Sequence, residues 1–170
     1  MNGDDEFDLV LLLGPMYHLY TVEDRKKALE EAVRVTKKGG HIFVAYCMNE
    51  CVVVQFAFKA NNIKDLLQKN MLTEDFHCLS NPEDLLAMVR LEEIFELTKE
   101  LKVEREKIIV ADGATVYMRD KVDEFDDETF ELWMKYHLAT CEKMDLIGAT
   151  NHSLDILKKL LLRSGFCNEC

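Results

Sequence analysis

An uninterrupted apolar segment near the start of the sequence constrains the fold of this chain more than any other feature. The segment FDLVLLLGPMYHL (residues 7–19) has the length of a strand buried on both faces, and its strand part ends at Gly14-Pro15. Thr21 and Asp24 form a capping-box start, and apolar residues then recur at helical spacing as far as KKGG (residues 37–40), whose glycines predict the helix stop. A second apolar strand, HIFVAYC (residues 41–47), follows. Strand, helix and strand in about 40 residues predict a right-handed βαβ unit.

The remaining sequence predicts more helices and two more strands, all within a single domain covering residues 1–170. We expect helices over residues 49–70, from Asn81-Pro82 to about residue 102, and from the acidic stretch 120–128 to about residue 143. The strands are expected at residues 107–111 and 152–158, and Asp112-Gly113 ends the first of them. No internal repeat or low-complexity linker divides the chain. The fold class is therefore expected to be α/β.

Charge and hydropathy limit the partners that such a chain can bind. The net charge is −11, which argues against a nucleic-acid partner because binding a phosphate backbone requires clustered Lys and Arg. No apolar run approaches the roughly 20 residues of a membrane helix, and the first residues, MNGDDEFD, do not resemble a secretory signal. We therefore expect a cytoplasmic protein without a membrane partner, and the acidic charge fits a small-molecule ligand or a basic protein.

The cysteines and histidines do not predict a metal site. Cys47 and Cys51 flank the end of a strand and are expected to fill the core. Cys167 and Cys170 form a C-x-x-C motif, but no second pair of thiols or histidines has matching spacing. We interpret this motif as inert. His137 shares a helical face with Phe130 and Trp133, which predicts a packed helix residue.

Three segments of the sequence carry a resemblance to a known family. FDLVLLLGPMYHL and EDRKKALEEAVRVTKKGGHIFVAY resemble the fourth strand, the following helix and the fifth strand of class I S-adenosylmethionine-dependent methyltransferases. The similarity is greatest to the bacterial group whose fourth strand ends in Gly-Pro-(Leu/Met)-Tyr-His-Leu. Lys38 stands where proline is common in the hairpin of that group. MDLIGATNHSLDILKK (residues 144–159) resembles the segment that leads into the last strand of the group.

The resemblance implies only the C-terminal half of a methyltransferase. It implies a partial Rossmann-like sheet of four strands with helices on both faces, in which the last strand is antiparallel and inserted beside the second. The Gly-rich turn and the ribose-binding acidic residue of the family lie in its first three strands, and the sequence contains no G-x-G. The resemblance therefore implies a truncated chain that binds S-adenosylmethionine weakly or not at all. A flavodoxin-like module is an alternative α/β fold, but it does not explain the GPMYHL and KKGG spacing.

The resemblance also implies roles for particular residues. Gly14 and Pro15 would lie beside the methionine part of the cofactor. Leu13 would offer its backbone carbonyl to the cofactor, and the Leu13 side chain is expected to join the core. Gly14 and Pro15 are equally compatible with a simple turn. Tyr17 and His18 are the catalytic candidates facing the acceptor, with His18 as a base or as a structural hydrogen-bonding residue. The residues expected to contact substrate are Met16, Asn151 and His152.

A second hypothesis gives the chain no catalytic function. If no strand pairs with the outer edge of residues 8–14, that edge presents unpaired backbone on an apolar strand. The chain would then be a non-catalytic α/β interaction module that self-associates through this edge.

Overall fold

The computed structural model describes residues 3–161, and its centre is an open mixed sheet. The sheet order is β1-β2-β5-β4, and a short β3 also pairs with β2. The strands β1, β2 and β3 run parallel, whereas β5 is antiparallel to both β2 and β4. The predicted α/β sheet with an inserted antiparallel last strand is confirmed, and β3 is an addition to the four strands expected. Cys167 and Cys170 lie outside the described residues. The strands are β1 (Phe7–Leu12), β2 (Thr36–Met48), β3 (Met88–Val89), β4 (Val103–Val110) and β5 (His152–Lys159).

Seven α-helices and three other helical segments flank this sheet in the described part of the chain. Thr21 begins the first helix as predicted, since its hydroxyl oxygen accepts a hydrogen bond from the Asp24 N–H at 3.1 Å. No helix within residues 3–161 is long and apolar enough to cross a membrane. The helices are α1 (Val22–Val35), α2 (Asn49–Val52), α3 (Ile63–Gln68), α4 (Leu91–Thr98), α5 (Arg119–Val122), α6 (Asp127–Thr140) and α7 (Met144–Ile147), and the other segments are a π-helix at Val53–Lys59 and 3₁₀ turns at Pro15–Tyr17 and Gly113–Tyr117.

The KKGG segment lies within β2 and does not cap the preceding helix. α1 ends at Val35, and the backbone of Thr36 is already extended (φ −75°, ψ 135°). The prediction of a helix reaching the glycines was therefore wrong by several residues. Gly39 does adopt a left-handed conformation (φ +79°), but it does so in an irregularity of the β1–β2 pairing. The glycines thus shape the sheet register.

The long helix predicted from Asn81 to residue 102 was also wrong. Residues 82–85 form turns and bends, β3 follows at Met88, and α4 begins only after Arg90. The turns are held by contacts with the segment after β1, because Ala87 N–H donates to the Tyr17 carbonyl at 2.8 Å and Tyr20 Oη donates to the Asp84 carbonyl at 2.6 Å. These tertiary hydrogen bonds replace the helical ones that the Asn-Pro signal favours.

The main core lies against β2, whose inward side chains alternate with exposed ones as expected for a strand. Ile42, Val44, Tyr46 and Met48 are all at most 1% exposed and pack with residues of α1, α4 and β5. A smaller separate cluster joins the π-helix to the loop after α3. The helix α6 contributes no buried residue to either cluster.

Candidate functional site

The candidate site lies at the sheet edge where the parallel strands β1, β2 and β4 end and where β5 begins. Backbone hydrogen bonds hold these connections together: Met48 N–H donates to the Asn151 carbonyl at 2.9 Å, and Ala111 N–H donates to the His152 carbonyl at 2.9 Å. In open α/β sheets, ligands bind at the carboxyl ends of the strands. The structure therefore brings together segments that are more than 100 residues apart in sequence.

Three of the predicted site residues form an aromatic row along this edge. The ring of Tyr17 lies 5.0 Å from that of His18 and 6.3 Å from that of His152, measured between centroids, and both pairs meet edge to face. The His18 backbone N–H donates to the Pro15 carbonyl at 3.0 Å, whereas its ring forms no hydrogen bond within residues 3–161. The His18 ring is thus available to a ligand.

The Leu13–Pro15 segment leaves an open backbone at the end of β1. Gly14 has a φ of −136°. Any residue can adopt a negative φ, so the turn does not require glycine for this angle. A Cβ added there would meet only the Tyr17 hydroxyl, at 3.9 Å. Pro15 occupies the first position of the 3₁₀ turn, where its fixed φ is favourable. The space beside Gly14 is therefore open, and both interpretations of this residue, close approach by a ligand and a simple turn, stay predictions.

Leu13 and Met16 differ from their predicted placement. The Leu13 side chain is 47% exposed, so the expectation that it joins the core was wrong. Its carbonyl oxygen accepts a hydrogen bond from Tyr17 Oη at 2.5 Å, and a second lone pair stays available. Met16, expected to contact substrate, is 0% exposed and belongs to the main core. The structure gives Met16 a packing role.

An Asp–His pair at the same edge was not predicted. Asp112 Oδ2 lies 2.9 Å from His152 Nδ1 and accepts the His152 backbone N–H at 2.6 Å. Asn151 Nδ2 lies 3.1 Å from the same ring nitrogen. The sequence signal for this pair was the Asp112-Gly113 ending of β4, together with the position of His152 at the start of the next strand in the sheet.

The Asp–His pair lines a cavity of about 670 Å³ beneath α6. The exposed cation Arg119 also lines this cavity. The side chains that α6 contributes to the lining are Phe130, Trp133, Met134 and His137. His137, expected to be a packed helix residue, is half-buried on α6 and packs against Gly113, although α6 contributes no fully buried residue to the core. Gly113 permits the close approach of this helix: a Cβ there would lie 2.8 Å from His137 Nδ1.

A second, apolar cavity of about 260 Å³ lies between the π-helix and the loops that follow α3. Its lining is almost entirely aliphatic and aromatic, and it includes Val53, Phe56, Leu72 and Leu86. π-Helical turns occur frequently at functional sites. This cavity was not anticipated, since the sequence of residues 49–70 predicts an ordinary helix.

The cysteines near the site are not activated nucleophiles. Burial raises the pKa of the Cys47 thiol to about 11, and the nearby Asp112 carboxylate acts in the same direction. Burial likewise raises the pKa of Cys51, which the hydrogen bond from Tyr117 opposes. Both thiols therefore stay protonated at neutral pH. In the described part of the chain no three His, Cys, Asp or Glu side chains are grouped to hold a metal ion.

Comparisons with known proteins agree with this architecture. Residues 3–44 match the family described as a methyltransferase domain. A S-adenosylmethionine-dependent methyltransferase of Methanosarcina mazei superposes with a TM-score of 0.53 at 12% identity, covering 95% of this chain and 63% of that protein. A S-adenosylmethionine-dependent methyltransferase of Thermotoga maritima gives 0.49 at 18% identity, covering 93% and 58%. No curated protein matches the chain. The likeness to the Methanosarcina protein shows a Rossmann-like methyltransferase fold, and the chain spans less than two thirds of either neighbour.

The described residues fit one side of a S-adenosylmethionine site. A Cβ at Gly14 would meet only the Tyr17 hydroxyl, at 3.9 Å, so the backbone at this strand end is open to the close approach of a ligand. The sequence holds no G-x-G turn for the opposite side. Within residues 3–161, no strand pairs with the outer edge of β1.

Proposed function

We propose that this chain forms the acceptor-side part of a S-adenosylmethionine-dependent methyltransferase whose substrate is a small molecule. The observation that carries the proposal is the convergence of Gly14, Tyr17, His18 and His152 at the carboxyl edge of a sheet with the methyltransferase strand order. The match of residues 3–44 to a methyltransferase domain supports it. Neighbouring proteins of this fold are described as S-adenosylmethionine-dependent.

The proposed roles follow from the positions of the side chains. The backbone of Leu13, Gly14 and Pro15 would line the methionine part of the cofactor, and Tyr17 and His18 would face the methyl acceptor. Asn151 and His152 would border the acceptor from the start of β5. When bound, S-adenosylmethionine supplies a methyl group on a positively charged sulfur, which keeps the electron pair of the broken bond. The task of the chain is to orient the acceptor and take up its proton.

We further propose that the 170-residue chain by itself binds the cofactor weakly and is inactive. Gly14 offers an open approach on one side, but the chain has no Gly-rich turn to hold the other. A titration of ¹⁵N-labelled protein with S-adenosylhomocysteine tests this. We expect amide shifts at Gly14, Tyr17 and His18 that do not saturate below millimolar ligand.

The controls for this titration use two glycines with different surroundings. Gly14→Val fills the open space and should abolish the shifts. Gly148→Ala should leave them unchanged, because its Cβ would meet only Glu50 Oε2 at 3.9 Å and Gly148 lies outside the proposed site. Absence of shifts at residues 13–18 in the unmodified chain would overturn the cofactor proposal. Saturation at micromolar ligand would overturn only the claim of weak binding.

The second candidate function is a non-catalytic module that pairs with a second copy of itself. The observation that favours it is β1, which combines an edge without a described partner strand and an apolar exposed face. Leu9 is 49% exposed and Leu11 is 55% exposed, and Phe7 and Leu13 continue the same face. Another strand can satisfy the free backbone donors and acceptors of such an edge. In a two-fold symmetric dimer, that strand is β1 of the second copy.

A further inference from the structure

We infer that Asp112 and His152 form an acid–base dyad whose free ring nitrogen, His152 Nε2, accepts the proton of the methyl acceptor. The inference rests on the proposed function, and it adds a base and a substrate class to it. Its basis is the contact between the two side chains at the wall of the 670 Å³ cavity.

The hydrogen bonds assign the proton on the imidazole ring. Asp112 Oδ2 lies 2.9 Å from His152 Nδ1, and an ionised carboxylate can only accept. The ring proton therefore lies on Nδ1, which leaves Nε2 with a lone pair. Asn151 Nδ2, a donor, lies 3.1 Å from the same ring nitrogen, so a proton on Nδ1 requires the Asn151 amide to be turned so that its oxygen faces the ring. Within residues 3–161, Nε2 of His152 has no hydrogen-bond partner.

The dyad is held in place by the backbone around it. Asp112 Oδ2 also accepts the His152 backbone N–H at 2.6 Å. The buried hydroxyl oxygen of Thr150 accepts from the N–H groups of Asp112 and Gly113, at 3.2 and 3.1 Å. The antiparallel pairing of β4 with β5 brings Asp112 and His152 together, although they are 40 positions apart in the sequence. A base oriented by fixed partners needs little reorganisation when a proton arrives.

The other titratable groups near this edge are less suited to the task. His18 and His137 have no carboxylate within hydrogen-bond distance in the described part of the chain. The thiol of Cys47 stays protonated, for the reason given above. Arg119 and Asp123 line the same cavity but form no hydrogen bond to the His152 ring. His152 is thus the one histidine in this group that a carboxylate orients.

The cavity walls indicate the class of acceptor. The apolar side chains of α6 lie opposite the dyad, with Phe130, Trp133 and Met134 among the residues that line the space. A fitting acceptor carries an O–H or N–H group on an aromatic or apolar body. Its O–H or N–H bond breaks and the proton passes to His152 Nε2. The electron pair left on the acceptor would form the new bond to the methyl carbon while the methyl–sulfur bond of bound S-adenosylmethionine breaks and its electron pair stays on sulfur. Asp112 balances the positive charge of the imidazolium.

The first test reads the proton position without cofactor or acceptor. In ¹⁵N NMR spectra of the ring, neutral His152 should carry its proton on Nδ1, and Asp112→Asn should reduce the population of that tautomer. Glu93→Gln is the matched control, because Glu93 lies 2.7 Å from Nε2 of His77, outside this cavity, and should leave His152 unchanged. A proton on Nε2 of His152, or no response to Asp112→Asn, would overturn the dyad.

The second test uses 4-nitrophenol, whose absorbance distinguishes phenol from phenolate. At a slightly acidic pH the unmodified chain should raise the phenolate fraction, since His152 takes the phenolic proton on binding. His152→Gln and Asp112→Asn should lose this increase, whereas Glu93→Gln should keep it. An unchanged spectrum with the unmodified chain, or an increase that survives His152→Gln, would contradict the inference.

Neither test needs S-adenosylmethionine, so the two proposals fail separately. A chain that shows the tautomer and the phenolate increase but no S-adenosylhomocysteine shifts keeps the dyad and loses the cofactor proposal. The reverse result keeps the cofactor site and removes His152 as the base.

Discussion

At the scale of single residues, the buried carboxylate of Asp155 needs a partner that offsets the cost of burying its charge. It is 0% exposed on β5, and Arg105 on β4 holds it through two contacts, Nε to Oδ1 at 2.7 Å and Nη2 to Oδ2 at 2.9 Å. The same guanidinium donates to the Thr98 hydroxyl and lies 4.6 Å over the Phe95 ring. Burial raises the pKa of Asp155, and Arg105 opposes this rise.

Replacing Arg105 should therefore destabilise the protein in a pH-dependent manner. Arg105→Met leaves an unpaired buried carboxylate, so we expect a loss of about 3 kcal/mol in the free energy of unfolding near neutral pH. Because the folded state holds the Asp155 proton more tightly than the unfolded state, stability from this group falls as pH rises through the folded pKa. The loss should shrink as pH is lowered from about 7 to about 4.5. Urea denaturation at several pH values measures it.

Lys107→Met is the control for this variant, since Lys107 lies on the same strand and pairs with Glu142 in an exposed contact of 2.7 Å. Such a pair contributes at most about 1 kcal/mol. A loss in Arg105→Met that is equally small, or that does not change with pH, would contradict the role given to Asp155.

The residues of the candidate site were predictable in part. Tyr17, His18 and His152 follow or precede apolar strands, and strand ends of one sheet share an edge, so their position together with the resemblance to a methyltransferase nominated them. Asp112 was visible as the residue that ends a strand. Its partnership with His152 was not predictable, because it depends on the pairing of β4 with β5 and on a side-chain contact across 40 positions.

At the scale of elements, the β1–β2 pairing depends on the absence of a side chain at Gly40. A Cβ there would lie 2.8 Å from the Asp8 carbonyl oxygen and 2.9 Å from that of Lys37, both backbone atoms. Gly40→Ala must displace one strand, and we expect a loss of about 1–3 kcal/mol. Thermal and urea unfolding measure this loss.

Gly148→Ala is the matched substitution, since the space around Gly148 is open and its φ is −63°. We expect a change within about 0.5 kcal/mol for this variant. Equal stability of the two variants would show that β1 and β2 can separate at no cost, contrary to the register described here.

The elements themselves were predictable where local chemistry decides them. The cap at Thr21 and the apolar alternation of residues 41–47 are local signals, and both elements formed. The helix expected after Pro82 failed because the carbonyl of Tyr17, far away in sequence, takes the N–H of Ala87. Local patterns carry no information about such a contact.

At the scale of the whole molecule, the exposed face of β1 predicts concentration-dependent self-association. Sedimentation equilibrium should show dimers or larger species of the unmodified chain at high protein concentration. Leu9→Lys combined with Leu11→Lys should shift the population to monomers, because charged side chains block pairing at an apolar strand. The net charge of −11 opposes association, so added salt should strengthen it.

Leu138→Lys controls for a general gain in solubility, since Leu138 is also an exposed leucine, at 68%, and lies on α6 away from β1. This variant should associate as the unmodified chain does. A stable monomer of the unmodified chain at high concentration would contradict self-association through β1.

The position of β5 has a consequence for how the chain reaches its native state. The last strand in sequence lies between β2 and β4, and within residues 3–161 it is the strand that joins β4 to the rest of the sheet. Until residues 152–159 have been synthesised, β4 has no described neighbour to pair with. Contacts of such large sequence separation slow folding, because long loops must close first. We expect folding to be limited by insertion of β5, with the parallel β1–β2 pair forming earlier.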